Sequence, residues 1–178
     1  MQLGSRFLVT LIGWLTLAAF SVGMVLIVNA ETNKTKPVKI SSDQRYARFL
    51  DGTILDKKNG LMWMSSDYWQ MEHKWVNWYT AKEYVQRMNN KKFAGYNDWR
   101  LPSLAELNNL WSPSGKVKSK DEETLGLASE FQGGGSYYLW TGEERGLDHA
   151  WYFGLGQKEN YFNLKDLADL EQGVKMVR

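Results

Sequence analysis

The side chains that could do chemistry in this 178-residue chain are few and far apart. There is no cysteine, so thiolate nucleophiles, disulfides, thiolate metal sites and a lipidated cysteine anchor are excluded together. The two histidines, His73 and His149, stand in different segments, and zinc bound by them would need carboxylate partners that no motif supplies. Neither a Gly-x-Ser-x-Gly elbow nor a phosphate loop occurs. Gly133-Gly134-Gly135 lacks the lysine and hydroxyl residue that such a loop carries. Glu143 with Glu144, or Glu159 with Asp166, could serve as acid and base on a glycosidic bond, but paired surface carboxylates are too common to carry that reading far. Asn97-Asp98 beside Trp99 offers hard oxygen ligands. The Glu-Pro-Asn or Gln-Pro-Asp tripeptide that completes a calcium-lectin site is missing, however, and Asp51, Asp56 and Asp67 do not have loop-ligand spacing. The expectation is a chain that is not an enzyme, with no metal and no cofactor.

Recognition is the chemistry that remains. Aromatic residues make up 14% of the chain, with nine Trp and nine Tyr, and side chains that large are either packed in a core or displayed for a partner. Trp69 and Trp75 flank Met71-Glu72-His73-Lys74 in a stretch without periodicity and are expected to be exposed. Tyr137 and Tyr138 open an aromatic run in which alternation puts Tyr137 and Leu139 on one face, Tyr138 and Trp140 on the other. These four, Trp69, Trp75, Tyr137 and Tyr138, are the candidate contacts for a ligand or partner. Asp98 and Arg100 lie two apart around Trp99, so an extended backbone sets them on a common face, where a buried charge-assisted clasp is expected.

The elements that position these residues follow from pattern. Asp51-Gly52 and Asn59-Gly60 are tight-turn signals within Tyr46 to Met64 and predict a short meander. Trp78, Ala81, Tyr84, Val85 and Met88 recur at helical spacing behind Asn77 as N-cap. Ser103 to Glu106 is a capping box after Pro102, with Leu104, Leu107 and Leu110 as the helical stripe. From Ser136 onward, short aromatic and branched runs at 136–141, 149–155, 161–164 and 174–177 read as antiparallel strands. The fold class is α+β with two short helices.

The amino terminus carries a different signal. Residues 7–28 hold no charge, and 22 helical residues span roughly 33 Å, enough for a bilayer core. Residues 1–30 are therefore expected to be a signal anchor with one transmembrane helix, and 31–45 a polar linker to a domain over 46–178. Cleavage after Ala30, which would release the domain, is the alternative. Net charge is +2, and without the first thirty residues, whose only charge is Arg6, it is +1, which is no nucleic-acid footprint.

Taken in order, Gly60-Leu61-Met62-Trp63, Trp78 with Ala81, then Gly95 to Pro102 containing Asp98-Trp99-Arg100-Leu101-Pro102, resemble the bacterial envelope family typified by the C-terminal domain of Legionella collagen-like protein. The resemblance covers roughly residues 47–178, and its structural motif residues here are Gly60, Leu61, Trp63, Asp98, Trp99, Arg100, Leu101 and Pro102. It implies a C-type-lectin-like fold and a place in the cell envelope. In the namesake the domain serves adhesion and binds sulfated polysaccharides, whereas the related formylglycine-generating enzymes need cysteines that are absent here. The expected function is a non-catalytic module at the cytoplasmic membrane, facing the periplasm and docking on protein partners. Polysaccharide binding is the alternative, and a glycan-active enzyme a remote one.

Overall fold

The computed structural model describes residues 36–178. The expected membrane helix, the Ala30 cleavage point and residues 31–35 of the expected linker lie outside them. Among the described residues no helix is long and apolar enough to cross a membrane.

The compact unit begins at Pro37, not at Tyr46. Strand β1 (Lys39–Ile40) pairs antiparallel with β2 (Tyr46–Arg48), so part of the expected linker is the edge of a sheet. Val38 N–H donates to Arg48 O at 2.8 Å, and Gln44, at φ 60°, turns the chain between the two strands. Strands β3 (Thr53–Asp56) and β4 (Leu61–Met64) complete an antiparallel sheet of order β1-β2-β3-β4. The expected turns join them: Gly52 and Gly60 sit at φ 86° and 69°, where a side chain would be strained.

Among the described residues there are three helices, not two. The additional one, α1 (Tyr68–Glu72), has Asp67 as N-cap, which accepts from Gln70 N while the Gln70 side chain accepts from Asp67 N. The two expected helices are present as α2 (Trp78–Asn90) and α3 (Leu104–Leu110), capped by Asn77 and Ser103. α2 buries all five of its periodic apolar residues, and α3 buries Leu107 and Leu110.

A small hairpin, β5 (Val117–Lys118) with β6 (Thr124–Leu125), precedes the second sheet. There β7 (Tyr138–Arg145), β8 (His149–Gly154) and β9 (Glu159–Leu164) run antiparallel, and β10 (Gln172–Gly173) joins β7 in parallel, giving the order β10-β7-β8-β9. Residues 174–177, expected as another strand of this sheet, instead thread between β4 and the Arg100 segment. Met64 N donates to Met176 O, and Val177 bridges to both Trp63 and Arg100.

Both faces of β7 are covered, which resolves the alternation of its aromatics. Trp140 packs with Trp78, Tyr84, Trp99 and Met176 in one apolar cluster, while Leu139 packs with Trp63, Leu107, Leu110 and Phe153 in another. Lys175 lies in this interior, 2% exposed, with Nζ donating to the carbonyls of Met64, Ser65 and Ser66 at 3.4, 3.1 and 3.0 Å.

Candidate functional site

The Asp98–Pro102 box is built into the scaffold. Trp99 is 2% exposed; its indole N–H donates to Phe93 O at 3.0 Å, and the Asn89 amide holds both its backbone N–H and its carbonyl at 2.8 Å. The expected clasp between Asp98 and Arg100 does not form. Asp98 binds Arg178 through both oxygens, at 2.7 and 3.1 Å, and Arg100 binds Glu106 through two nitrogens, at 2.8 and 2.6 Å. Neither pair is buried: the Asp98 and Arg100 side chains are about half exposed. Hydrogen bonds from these arginines hold the carboxyls of Asp98 and Glu106 below the usual carboxylate range. The box is further stitched by Arg100, which exchanges backbone hydrogen bonds with Val177, and by Pro102 O, which accepts from Gly142 N. Leu101 is buried, as is Trp63, whose indole N–H has no partner; Leu61 is half-buried.

Three of the four carboxylates considered for acid–base work are engaged elsewhere, and the fourth, Asp166, is exposed. Glu143 accepts from Leu104 N at the start of α3, and Glu144 pairs with buried Lys165 at 2.6 Å, which lowers its pKa. Glu159 accepts from the Tyr161 hydroxyl, whose pKa is thereby pushed up to about 12. Asp56 is buried under a bidentate Arg45, and Asp51 caps its own turn at Thr53. His73 sits at the left-handed C-cap of α1, and His149 lies against Phe162. Among the described residues no three metal-binding side chains come together.

The aromatic candidates are half-buried. Trp69, on α1, and Trp75, just beyond it, stack with centroids 4.1 Å apart and planes at 20°. Lys120 Nζ lies 5.4 and 5.1 Å from their ring centres, held there by Asp121 and Glu171. Tyr137 packs across Gly156, where a Cβ would meet its hydroxyl at 2.0 Å, and burial pushes its pKa up. Tyr138 lies edge-on to Tyr152 and Tyr161, which stack on each other. The two pairs are thus separate aromatic groups, one beside α1 and one at the start of β7.

Sequence reasoning misses two surfaces. On the β8–β9 face, Phe162 is 45% exposed beneath the Arg145 guanidinium, 3.4 Å from the ring centre, with half-buried Trp151 edge-on beside it. The alternation along Glu159 to Leu164 is the signal that one face of this strand points outward. The second surface is a polar cleft of about 320 Å³ between the β1–β2 turn and the segments carrying Ser112, Lys116 and Glu130. Its residues come from three distant stretches, so no local motif announces it.

Among curated proteins no relative matches the chain. The profile of the Lcl C-terminal domain matches residues 52–178, a span that takes in the tight turns, all three helices, the Asp98–Pro102 box and the closing Val177–Arg178 contacts. The chain therefore belongs to the Lcl C-terminal domain family.

Proposed function

We propose that this protein is a non-catalytic, C-type-lectin-like binding module of the bacterial cell envelope that docks on protein partners as an accessory subunit of a membrane-associated assembly. Its anchor is the apolar segment 7–28, retained in the cytoplasmic membrane with the domain on the periplasmic side. The observation that carries the reading is the surface of Phe162, Trp151 and Arg145: aromatic and guanidinium groups concentrated on one sheet face are the composition of protein-interface hot spots. Membership of a non-enzymatic domain family agrees with it, as do the structural engagements of Glu143, Glu144 and Glu159.

The test is gentle detergent extraction of the tagged full-length protein. A partner recovered in fixed stoichiometry, and lost on Phe162→Ala, is the expected result. Failure of any protein to co-purify, together with salt-sensitive retention on a sulfated polysaccharide, would move the assignment to an adhesin or receptor domain. One observation favours that second reading: Lys57 and Lys58 make no ion pair among the described residues and lie near Arg45 at the rim of the polar cleft. Intact mass and fractionation decide the anchorage. A full-length chain in the carbonate-washed membrane pellet supports it, and a soluble chain beginning at Glu31 overturns it.

A further inference from the structure

The polar cleft of about 320 Å³ beside the β1–β2 turn shares no residue with the surface of Phe162, Trp151 and Arg145. Its volume falls at the small end of the range, about 300–1,000 Å³, that holds small-molecule ligands. Three stretches of chain form its walls, and hydrogen bonds fix each of them. Lys39 Nζ donates to Ser129 O at 2.9 Å and to Ser129 Oγ at 3.1 Å, fastening β1 to the wall at residues 128–130. Ser112 N donates to Gly126 O and Lys116 N to Leu127 O, fastening the wall at residues 112–116 to the stretch that leads there. In the β1–β2 turn, Ser41 Oγ donates to Asp43 Oδ1 at 2.5 Å and accepts from Tyr46 N at 2.8 Å, closing the turn on itself. A cleft walled in this way is formed before a ligand arrives, which lowers the ordering cost of binding.

Charge then decides what fits. Four charged side chains line the cleft: Asp43, Arg45, Lys116 and Glu130. Two of them are neutralised by residues that do not line it. Arg45 gives Nε and Nη2 to the Asp56 carboxylate, and Glu130, 3% exposed, takes Lys39 at 3.2 Å on Oε1. Asp43 and Lys116 are exposed and make no ion pair among the described residues, either with each other or with a third group. A simple anion would meet Asp43 as well as Lys116, and a simple cation Lys116 as well as Asp43, so each is attracted once and repelled once. Two opposite charges left unpaired on one cleft are complementary to a molecule that carries both signs itself. Hydroxyls complete the lining: Ser42, Ser114 and Ser129 are exposed, and Ser112 Oγ and Ser114 Oγ lie 2.9 Å apart with either able to donate.

We infer that this cleft binds a small zwitterion of the amino-acid or dipeptide class, its ammonium on Asp43 and its carboxylate on Lys116, with the serine hydroxyls meeting its remaining polar groups. Glu130 Oε2 and Arg45 Nη1, which take no hydrogen bond among the described residues, are a further acceptor and donor of matching sign on the same two residues that the scaffold has otherwise neutralised. The site is independent of the protein-docking reading, so either can fail alone.

The experiment is isothermal titration calorimetry of the full-length protein in mild detergent with L-alanyl-L-alanine at neutral pH. Saturable binding with a Kd of about 1 mM or tighter is expected. N-acetylation of the dipeptide removes its ammonium and amidation removes its carboxylate, and each change should weaken binding about tenfold or more. On the protein, Lys116→Gln and Asp43→Asn each remove one charge and keep a polar side chain, and each should weaken binding by a similar factor. Asp43→Asn retains an acceptor for Ser41 Oγ and Arg45 N. The Lys116 side chain makes no hydrogen bond or ion pair among the described residues, so Lys116→Gln should keep the wild-type melting midpoint while losing affinity. A dipeptide that does not bind, blocked dipeptides that bind as well as the free one, or a Lys116→Gln protein of wild-type affinity each overturns the site.

Discussion

Replacing Lys175 by methionine should flatten the alkaline rise in stability that the wild-type protein shows. The ammonium is fully buried, and that burial pushes its pKa down to about 8, opposed only in part by nearby Asp67. In the unfolded chain a lysine titrates near 10.4. Between these values the unfolded state binds more protons than the folded one, so the free energy of unfolding increases with pH. The buried charge costs about 3 kcal/mol at neutral pH, and about 2 kcal/mol of that is recovered between pH 7 and 9.5. Tyr46 and Tyr84, whose pKa values burial raises, act in the opposite direction only above the ordinary tyrosine range, which leaves this window to Lys175. The thioether of the Lys175→Met variant would carry no titration. It would also leave the Met64 and Ser66 carbonyls without their donor, at about 1–3 kcal/mol each, while Ser65 O keeps Gln132 N. At pH 7 these losses and the relief of the buried charge nearly offset; at pH 9.5 the variant should be clearly the less stable. Urea unfolding followed by tryptophan fluorescence at several pH values is the assay. Parallel pH profiles for the two proteins would refute the reasoning.

Trp99→Ala should cost about 3 to 5 kcal/mol and abolish soluble expression, since the indole fills a core position and loses its bond to Phe93 O; a normally folded variant would make the box a binding site instead. Arg45→Ala should destabilise by about 3 kcal/mol, because it strips the charged partner from a 1%-exposed Asp56 carboxylate, and chemical denaturation checks this directly. Residues 37–178 should melt cooperatively with one midpoint in chelator and in calcium, because their helix caps are satisfied by protein groups and no three metal-binding side chains come together among the described residues; a calcium-dependent rise in midpoint would contradict it.

What could be read from the sequence was local. α2 and α3 were legible because a periodic apolar stripe and a cap coincide within a few residues, at Asn77 and at Ser103 with Glu106. α1 escaped because five residues are too few to show a period, and its capping box uses Gln70 beneath a buried Asp67. β1 escaped because two residues beside a proline carry no alternation, and the strand exists only through its partner. Spacing placed Asp98 and Arg100 on a common face, yet Asp98 found Arg178, eighty positions away, and Arg100 found Glu106 on the next helix. An extended dipeptide geometry permits such a pair without favouring it over tertiary partners with better bidentate alignment.

The same distinction explains where binding chemistry can reside in this molecule. The segment 174–178 runs through the interior, tied to β4 by Met64 and Met62, to the Asp98–Pro102 box by Val177, and to the β4–α1 junction by Lys175. Trp99 and Leu101 of the box, with Val174, Met176 and Val177, are therefore spent on the two apolar clusters around β7. A substitution among them changes whether the domain folds before it can change what the domain holds. The groups free to meet a partner are those the scaffold does not need: Phe162 and Leu164 on edge strand β9, and Ile40 on edge strand β1 with Val38 just before it. Such positions can vary at little cost to the fold, so specificity in a domain built this way is set at its edges.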